Sequence, residues 1–355
     1  MRSRRIWVLA LLLIGGSQCP VAGLGLRAIV GVEYDDNPFE VSGKRRQSWG
    51  NRFYLHASER LVHAAWGEVQ LQHQVGFKRF WKGEGEADQY GDVLANQLEL
   101  AGLVKLHQRL RFNWSSALKV KDVRRLTSED SYLRGALHLG LTGHLGKGWA
   151  GLMQYSRSSD DGRERQIADI SFHRLGFELV YQPSRQMCGN LGVHWRFLNY
   201  DRPALAAALH GLLLPIDAEQ ADRLRELSAG IQFFRGALVR LNYAFLDNHS
   251  NSTGYSFAAH RTQVLLSWHI AAGIDGKLFL TTQLRRYNQE KVETRPLFTS
   301  EEDEYEQQMF SLKLSRQLNQ RYGVSSQYRH SRNGSRQDGD AFRKNVYSLA
   351  LEIAL

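Results

Sequence analysis

The chain ends with the segment "NVYSLALEIAL", from Asn345 to Leu355, in which apolar residues occupy every second position. This period of two predicts a β-strand, because successive side chains of a strand point to opposite faces. One face of the predicted strand carries Tyr347, Leu349, Leu351, Ile353 and Leu355. An apolar strand of this kind at the bare edge of a soluble sheet would promote aggregation. The segment therefore requires a partner strand in an apolar surrounding.

The beginning of the chain predicts export. Arg2, Arg4 and Arg5 precede the apolar run "IWVLALLLIGG", and the small residues of "VAG" end at Gly23. These features are typical of a secretory signal, so we expect residues 1–23 to be removed. An uncleaved N-terminal membrane anchor is the alternative.

The cysteines and the apolar stretches narrow the class of exported protein. The chain has two cysteines, and removal of Cys19 with the signal leaves Cys188 without an intramolecular partner. No second stretch reaches the length of about 18 apolar residues that a transmembrane helix needs. Two classes remain, a soluble all-β protein and a membrane β-barrel.

The length and pattern of the strands favour the barrel. Polar and apolar residues alternate through Glu68–Lys78, Arg109–Lys121 and Tyr132–Leu145. Each run has about ten residues or more, the length that a tilted strand needs to cross a bilayer. Strands of soluble proteins are usually shorter, at about five or six residues. The mean hydropathy of −0.42 is compatible with a barrel, because only alternate residues meet lipid.

Further segments bring the number of predicted strands to about sixteen, an even number as in bacterial barrels. They are Leu26–Tyr34, Phe53–Leu61, Leu94–Leu106, Trp149–Tyr155, Ile170–Tyr181, Met187–Phe197, Leu227–Phe233, Ala237–Phe245, Val264–Ile270, Leu278–Arg285, Gln308–Leu314, Tyr322–Tyr328 and the terminal strand. Long polar connections such as "DVRRLTSED" alternate with short ones such as "QPSR", as in outer-membrane barrels. We predict an all-β fold in which residues 24–355 form one transmembrane antiparallel up-and-down β-barrel, with both termini in the periplasm. Leu26–Tyr34 is expected to pair with Tyr347–Leu355 and close the ring.

The terminal strand also resembles the assembly signal of outer-membrane barrels, which has apolar residues at alternate positions counted back from the last residue. Tyr347, Leu349, Leu351, Ile353 and Leu355 carry this resemblance, and it implies recognition by the barrel-insertion machinery. The chain departs from the usual signal by ending in Leu355 rather than in an aromatic residue.

A second resemblance lies in the segment "AIVGVEYDDNPFE", from Ala28 to Glu40. Tyr34, Asp35, Asp36, Asn37 and Phe39 resemble the "YDDN-aromatic" opening of outer-membrane β-barrel proteins of the porin type, often associated with exopolysaccharide or exosortase systems. The match covers only these residues and supports the barrel more than any function. The side chains of Asp35 and Asn37 are suited to closing a turn.

Residues of the polar strand faces are expected to line the interior of the barrel. The predicted pore-lining cations are Lys78, Arg109, Arg111, Lys119, Arg134, Arg196, Arg240, Lys277, Arg285, Lys313 and Arg329. Fewer acids fall on the same faces, namely Glu68, Glu99, Glu178, Glu226 and Glu352. Fixed cations in a water-filled passage favour anions, and the net charge of +10 agrees with such a lumen. The alternative is that bases and acids pair with each other and fill the lumen.

One connection could modify the pore. The segment Asp201–Arg223 is the longest predicted connection and the apolar one, and exposed leucines in a loop are unfavourable unless they are covered. We therefore expect this loop to fold inward and narrow the passage, to pack across the mouth, or to contact another subunit.

The motifs give no support to an enzyme. The sequence has no His-Glu-x-x-His, Gly-x-Ser-x-Gly or phosphate-loop pattern, and "DNHSNST" at Asp247–Thr253 is more typical of a turn. We expect no metal and no cofactor. The predicted function is a porin-like channel of a Gram-negative outer membrane for anionic solutes. Its expected partners are outer-membrane lipid and lipopolysaccharide, the insertion machinery and an anionic solute or polysaccharide, with no nucleic acid. The alternatives are an export conduit for an anionic exopolysaccharide and a structural barrel without transport.

Overall fold

The computed structural model describes residues 24–37, 47–81, 92–123, 131–162, 169–207, 213–287, 308–333 and 342–355. These ranges form sixteen strands that close into one barrel. The strands are β1 (Gly25–Asp35), β2 (Ser48–Ala64), β3 (Gly67–Phe80), β4 (Val93–His107), β5 (Leu110–Val123), β6 (Tyr132–Gly146), β7 (Trp149–Gly162), β8 (Ile170–Ser184), β9 (Met187–Ala207), β10 (Leu213–Phe234), β11 (Ala237–Ser250), β12 (Phe257–His269), β13 (Ile274–Tyr287), β14 (Gln308–Gln317), β15 (Tyr322–Asn333) and β16 (Phe342–Ala354).

Each strand pairs antiparallel with its neighbours in sequence, so the topology is up-and-down throughout. The predicted closure is confirmed: β1 pairs with β16 from Arg27 opposite Ala354 to Asp35 opposite Val346. The backbone N–H of Leu355 donates to the carbonyl of Leu26 and extends this pairing to the last residue. Closure gives each of the sixteen strands a partner on both sides, which is the condition for burying a sheet in hydrocarbon.

The sheet has one apolar and one polar face, and side-chain contacts show that the polar face is the inner one. Glu33 of β1 contacts Lys78 of β3, and Glu226 of β10 contacts Arg261 of β12. The two partners of each contact lie two strands apart. Side chains converge on the concave side of a curved sheet, so contacts over this separation identify the polar face as the inner one. The opposite face presents exposed aliphatic and aromatic side chains, including Val30, Val32, Leu118, Leu137, Phe177, Leu227, Leu349 and Leu351.

The prediction for the segment Asp201–Arg223 is wrong, because most of it is strand. β9 continues to Ala207 and β10 begins at Leu213, so only residues 208–212 lie outside the described part. Pairing of Leu214 with Ala206 and of Leu213 with Ala207 supplies backbone partners that a loop would lack. The segment therefore forms a long β9–β10 hairpin with an irregular register near Glu219 instead of an inward constriction.

The hairpin is held from its side by the connection between β11 and β12. Ser252 accepts a hydrogen bond from the N–H of Leu205, and the N–H of Thr253 donates to the carbonyl of Leu205. Asn251 donates to the carbonyl of Glu219 and accepts from the N–H of Ala221. These contacts stabilise the extended form of both strands.

The two rims of the barrel differ in the length of the connections between strands. Short turns such as Gly146-Lys147-Gly148 and Ala272-Gly273, all with positive φ, join strands at the rim where β1 begins and β16 ends. Positive φ at glycine and at an isolated residue is how a chain reverses within two or three residues. The connections of the opposite rim, here called the long-loop rim, contain all the internal undescribed ranges. The predicted alternation of long and short connections is thus present.

The predicted signal, residues 1–23, and the acidic stretch Ser300–Glu306 lie outside the described residues. No helix in the described ranges is long and apolar enough to cross a membrane.

Candidate functional site: the charged inner wall

The register places every predicted pore-lining residue except Arg109 on the inner face. Two pairs of them are direct partners across the sheet: Lys119 is opposite Arg134, and Lys277 is opposite Lys313. The predicted acids, from Glu68 to Glu352, fall on the same face.

Arg109 is a correction to the predicted set. It is exposed and lies in the turn between β4 and β5, outside both strands. Its backbone carbonyl accepts a hydrogen bond from the N–H of His144. The alternation of "RLRFNW" runs through the turn without a break, so the sequence pattern does not show that β5 begins at Leu110.

Several predicted cations are neutralised by acids on neighbouring strands. Glu226 accepts from Arg196 of β9 at 3.4 Å and from Arg261 of β12 at 3.0 Å, and its side chain is only 7% exposed. Arg134 donates to both carboxylate oxygens of Asp160, at 2.7 Å through Nε and 2.6 Å through Nη2. Such bidentate, partly buried pairs hold charges in the wall of the barrel.

A third ion cluster lies beside the closing seam. Glu33 contacts Arg52 at 2.9 Å and Lys78 at 2.5 Å, so one carboxylate of β1 joins β2 and β3. Lys313 of β14 likewise contacts Glu352 of β16 at 3.1 Å. Part of the predicted positive charge is thus balanced along the wall.

Sequence reasoning missed Arg52, Arg174, Arg261, Glu33 and Asp160. Each lies at a strand position with the correct parity for the inner face, so applying the alternation to every residue of the full strands would have found them. Arg52, Asp160 and Arg261 lie beyond the ends of the predicted strands, whereas Glu33 and Arg174 lie within predicted strands whose inner face was not assigned.

Arg285 lies against aromatic rings and donates a hydrogen bond to the hydroxyl of Tyr287 at 3.2 Å. Its guanidinium lies 3.8 Å from the ring centroid of Phe257 and 5.7 Å from that of Tyr287. Cation–π contacts of this kind attract the guanidinium to the ring faces.

Four predicted cations are exposed on the inner face, and none has an acid partner in the described part of the chain: Arg111, Arg240, Lys277 and Arg329. Arg240 donates to the neutral side-chain oxygen of Gln232, at 2.7 and 3.1 Å. These side chains face the interior without a counter-ion among the described residues.

Three of these cations lie close to the short-turn rim. Arg111 is near the start of β5 at Leu110, Arg240 near the start of β11 at Ala237, and Lys277 near the start of β13 at Ile274. Other exposed charged inner-face residues of this rim are the cations Arg27, Arg60 and Lys105 and the acids Glu68 and Asp275. Cations therefore outnumber acids at this mouth within the described ranges.

A cavity of about 390 Å³ lies against the inner wall between β8 and β12. Arg174, Glu178, His194, Glu226 and Arg240 line it, with amide side chains such as those of Asn190 and Gln263. Its polar lining suits a hydrated anion or a hydroxylated solute more than an apolar one.

The structure does not assemble the serine and histidine of "DNHSNST" into a catalytic pair. His249 lies on the outer face and contacts Asp247 at 3.0 Å, whereas Ser250 lies on the inner face opposite Asp222. The described ranges also contain no group of three or more His, Cys, Asp or Glu side chains that could hold a metal ion.

Comparisons with known proteins give structural matches alone. No protein-family model matches the chain, and no curated protein matches it. OmpT of Vibrio cholerae, expressed in the outer membrane, matches with a TM-score of 0.47 and 10% identity over 94% of this chain and 97% of that chain. OccAB4 of Acinetobacter baumannii matches with a TM-score of 0.49 and 8% identity over 96% and 100%. A deletion mutant of TodX, a monoaromatic hydrocarbon channel, matches with a TM-score of 0.40 and 9% identity over 93% and 88%.

Proposed function

We propose that the protein is a porin-like outer-membrane channel whose lumen favours anionic solutes. The observation that carries this proposal is the set of exposed inner-face cations without acid partners in the described ranges, Arg111, Arg240, Lys277 and Arg329. Charges that face water in a narrow passage raise the local concentration of counter-ions and so set selectivity. Ion-paired cations such as Arg134 and Arg196 contribute less, because Asp160 and Glu226 cancel their charge.

The membrane location is supported by the outer face. It exposes many large apolar side chains, which is unfavourable in water and favourable in hydrocarbon. Aromatic side chains border this surface: Trp149 stacks on Tyr181 at 4.4 Å near the short-turn rim, and Tyr34 contacts Trp49 at 5.1 Å near the long-loop rim. Aromatic belts of this kind mark the two interfaces of a bilayer. Because short turns face the periplasm in barrels of this type, the proposal puts the start of β1 and the end of β16 on the periplasmic side.

Reversal potentials in a salt gradient test the proposal. The purified protein in a planar bilayer is expected to conduct and to prefer chloride over potassium. The triple variant Arg111→Gln, Arg240→Gln, Lys277→Gln should shift the reversal potential toward cation preference. A triple variant of outward-facing arginines, Arg157→Gln, Arg223→Gln, Arg225→Gln, removes the same charge from the other face and serves as the control. An unchanged reversal potential in the first variant, or no conductance in the parent protein, would refute the proposal.

The export of an anionic exopolysaccharide remains the alternative function that the "YDDN-aromatic" resemblance suggests. In the structure, however, Asp36 and Asn37 bind the backbone and side chains of β16. A role in barrel closure accounts for these residues without a polysaccharide. No contact of the described residues favours export over uptake, so the channel for small anions is the function we put forward.

A further inference from the structure

A shallow apolar groove of about 550 Å³ lies on the outer face around the closing strand β1. Val30 and Val32 form its floor, Phe53 and Phe77 lie on one side, and Leu349 and Leu351 lie on the other. The short valines lie between longer side chains of the neighbouring strands, which explains why this part of the surface is concave.

A continuous row of aromatic rings lies just above the groove, toward the long-loop rim. Neighbouring ring centroids are 4.8 to 6.2 Å apart along the row Phe310, Tyr328, Tyr347, Tyr34, Trp49 and Trp81. Tyrosine and tryptophan rings of membrane proteins concentrate at the level of the lipid headgroups. The row therefore places the groove among acyl chains and the surface above it among headgroups.

Two arginines lie directly opposite each other above this row. Arg332 of β15 pairs with Arg343 of β16, both are exposed on the outer face, and neither has an acid partner in the described ranges. Like charges at directly opposite positions of a sheet are destabilising. An anion bound between the two guanidinium groups would remove this repulsion.

The polar residues between the row and the arginines are ordered by hydrogen bonds. The side-chain oxygen of Asn345 accepts a hydrogen bond from the hydroxyl of Tyr328 and contacts His330, both at 2.8 Å. The backbone N–H and the side-chain amide of Asn345 both donate to the carboxylate of Asp36. This acid at the seam binds Asn345, and within the described ranges it forms no ion pair with Arg332 or Arg343. Arg343 lies six residues from Leu349, about 20 Å along the strand, a span comparable to that from a lipid phosphate into its acyl chains.

We propose that this surface binds one phosphorylated glycolipid of the outer leaflet, of the lipopolysaccharide class. Arg332 and Arg343 would bind its phosphate, and the groove over Val30 and Val32 would hold an acyl chain. Arginine is suited to this role because its planar guanidinium binds phosphate oxygens through two hydrogen bonds. The long-loop rim faces outward in barrels of this type, which selects the outer leaflet as the source of the lipid. The inference rests on the proposed membrane location and does not require that the barrel conducts.

Binding of lipid A to the detergent-solubilised barrel, followed by native mass spectrometry, tests the proposal. The variant Arg332→Gln, Arg343→Gln should lower the affinity for lipid A by about tenfold or more. The variant Arg223→Gln, Arg225→Gln removes two outward-facing charges of β10 and should bind lipid A as the parent protein does. A heat-modifiability gel establishes that each variant is folded.

A second variant tests the groove separately from the charges. Val32→Phe fills the floor of the groove on the lipid-facing surface, so it should weaken binding of lipid A while leaving both arginines in place. Equal affinities of the parent and the Arg332→Gln, Arg343→Gln variant would overturn the proposal, as would equal losses in the two double variants. Binding of dephosphorylated lipid A or of phosphatidylglycerol as tight as that of lipid A would overturn the assignment to a phosphorylated glycolipid. Bilayer conductance, measured independently, decides the channel proposal.

Discussion

The carboxylate of Asp36 accepts hydrogen bonds from both the backbone N–H and the side-chain amide of Asn345, each at 2.6 Å, across 309 residues of sequence. Next to it, the backbone N–H of Asn37 donates to the carboxylate of Asp35, and the side-chain amide of Asn37 donates to the carbonyl of Arg343. These contacts join the end of β1 to the start of β16. The "YDDN" residues thus clamp the seam at which the barrel closes.

Removing the clamp should weaken the seam without preventing closure. Asp36→Ala leaves the N–H and the amide of Asn345 without their acceptor, a loss of about 1 to 3 kcal/mol for charge-assisted hydrogen bonds. We expect a lower unfolding temperature on a heat-modifiability gel. Asp161→Ala, which removes an exposed outward-facing acid near the same rim, should leave that temperature unchanged. Equal temperatures for Asp36→Ala and the parent would contradict the clamp.

Glu226 should be essential for the stability of the wall between β9 and β12. Glu226→Gln leaves Arg196 and Arg261 without their shared counter-ion, and removing one partner of a buried ion pair costs about 3 kcal/mol or more. The free energy of unfolding, measured by urea titration in lipid vesicles, should fall accordingly. Glu68→Gln changes an exposed inner acid near the rim and should have little effect. Similar losses in both variants would argue against the ion cluster.

Two neighbouring residues of β5 test the assignment of the faces. Leu118 is 50% exposed on the outer face, and Ala117 faces inward opposite Glu99. Leu118→Arg should lower the free energy of unfolding in vesicles by about 2 to 4 kcal/mol, because the charge meets lipid. Ala117→Arg adds the same charge to the lumen and should cost much less. The reverse order would mean that the faces have been assigned incorrectly.

A cysteine pair tests the extended β9–β10 hairpin. Ala206 and Leu214 are direct partners, and directly opposite strand residues have Cα atoms about 4.5 to 5.5 Å apart, within the range of a disulfide. In a chain with Cys188→Ser, the variant Ala206→Cys, Leu214→Cys should form a disulfide under mild oxidation, detected by a shift on a non-reducing gel. Leu205→Cys with Leu214→Cys places the two thiols on opposite faces and should remain reduced. If the segment were a loop folded into the lumen, the two cysteine pairs would form disulfides to a similar extent.

The sequence by itself determined the strands and their two faces. An alternation of period two within the long runs, such as Tyr132–Leu145, is a local property, since each side chain is directed by its own backbone. The terminal segment from Tyr347 to Leu355 added the requirement for a partner, and the even number of strands identified β1 as that partner. These features could be predicted because none depends on which residue lies beside which across the sheet.

The tertiary structure alone decided which charged side chains of the inner face are paired with an acid and which face the lumen without one in the described ranges. Arg134 and Arg240 have the same pattern in the sequence, yet the register places Asp160 beside the first and neutral Gln232 beside the second. The register likewise extends β9 and β10 through Asp201–Arg223, whose composition suggested a loop. The two strands can continue there because each supplies hydrogen-bond partners for the backbone of the other. Ion pairs and strand ends depend on neighbours distant in sequence, and only the register of the closed barrel brings those neighbours together.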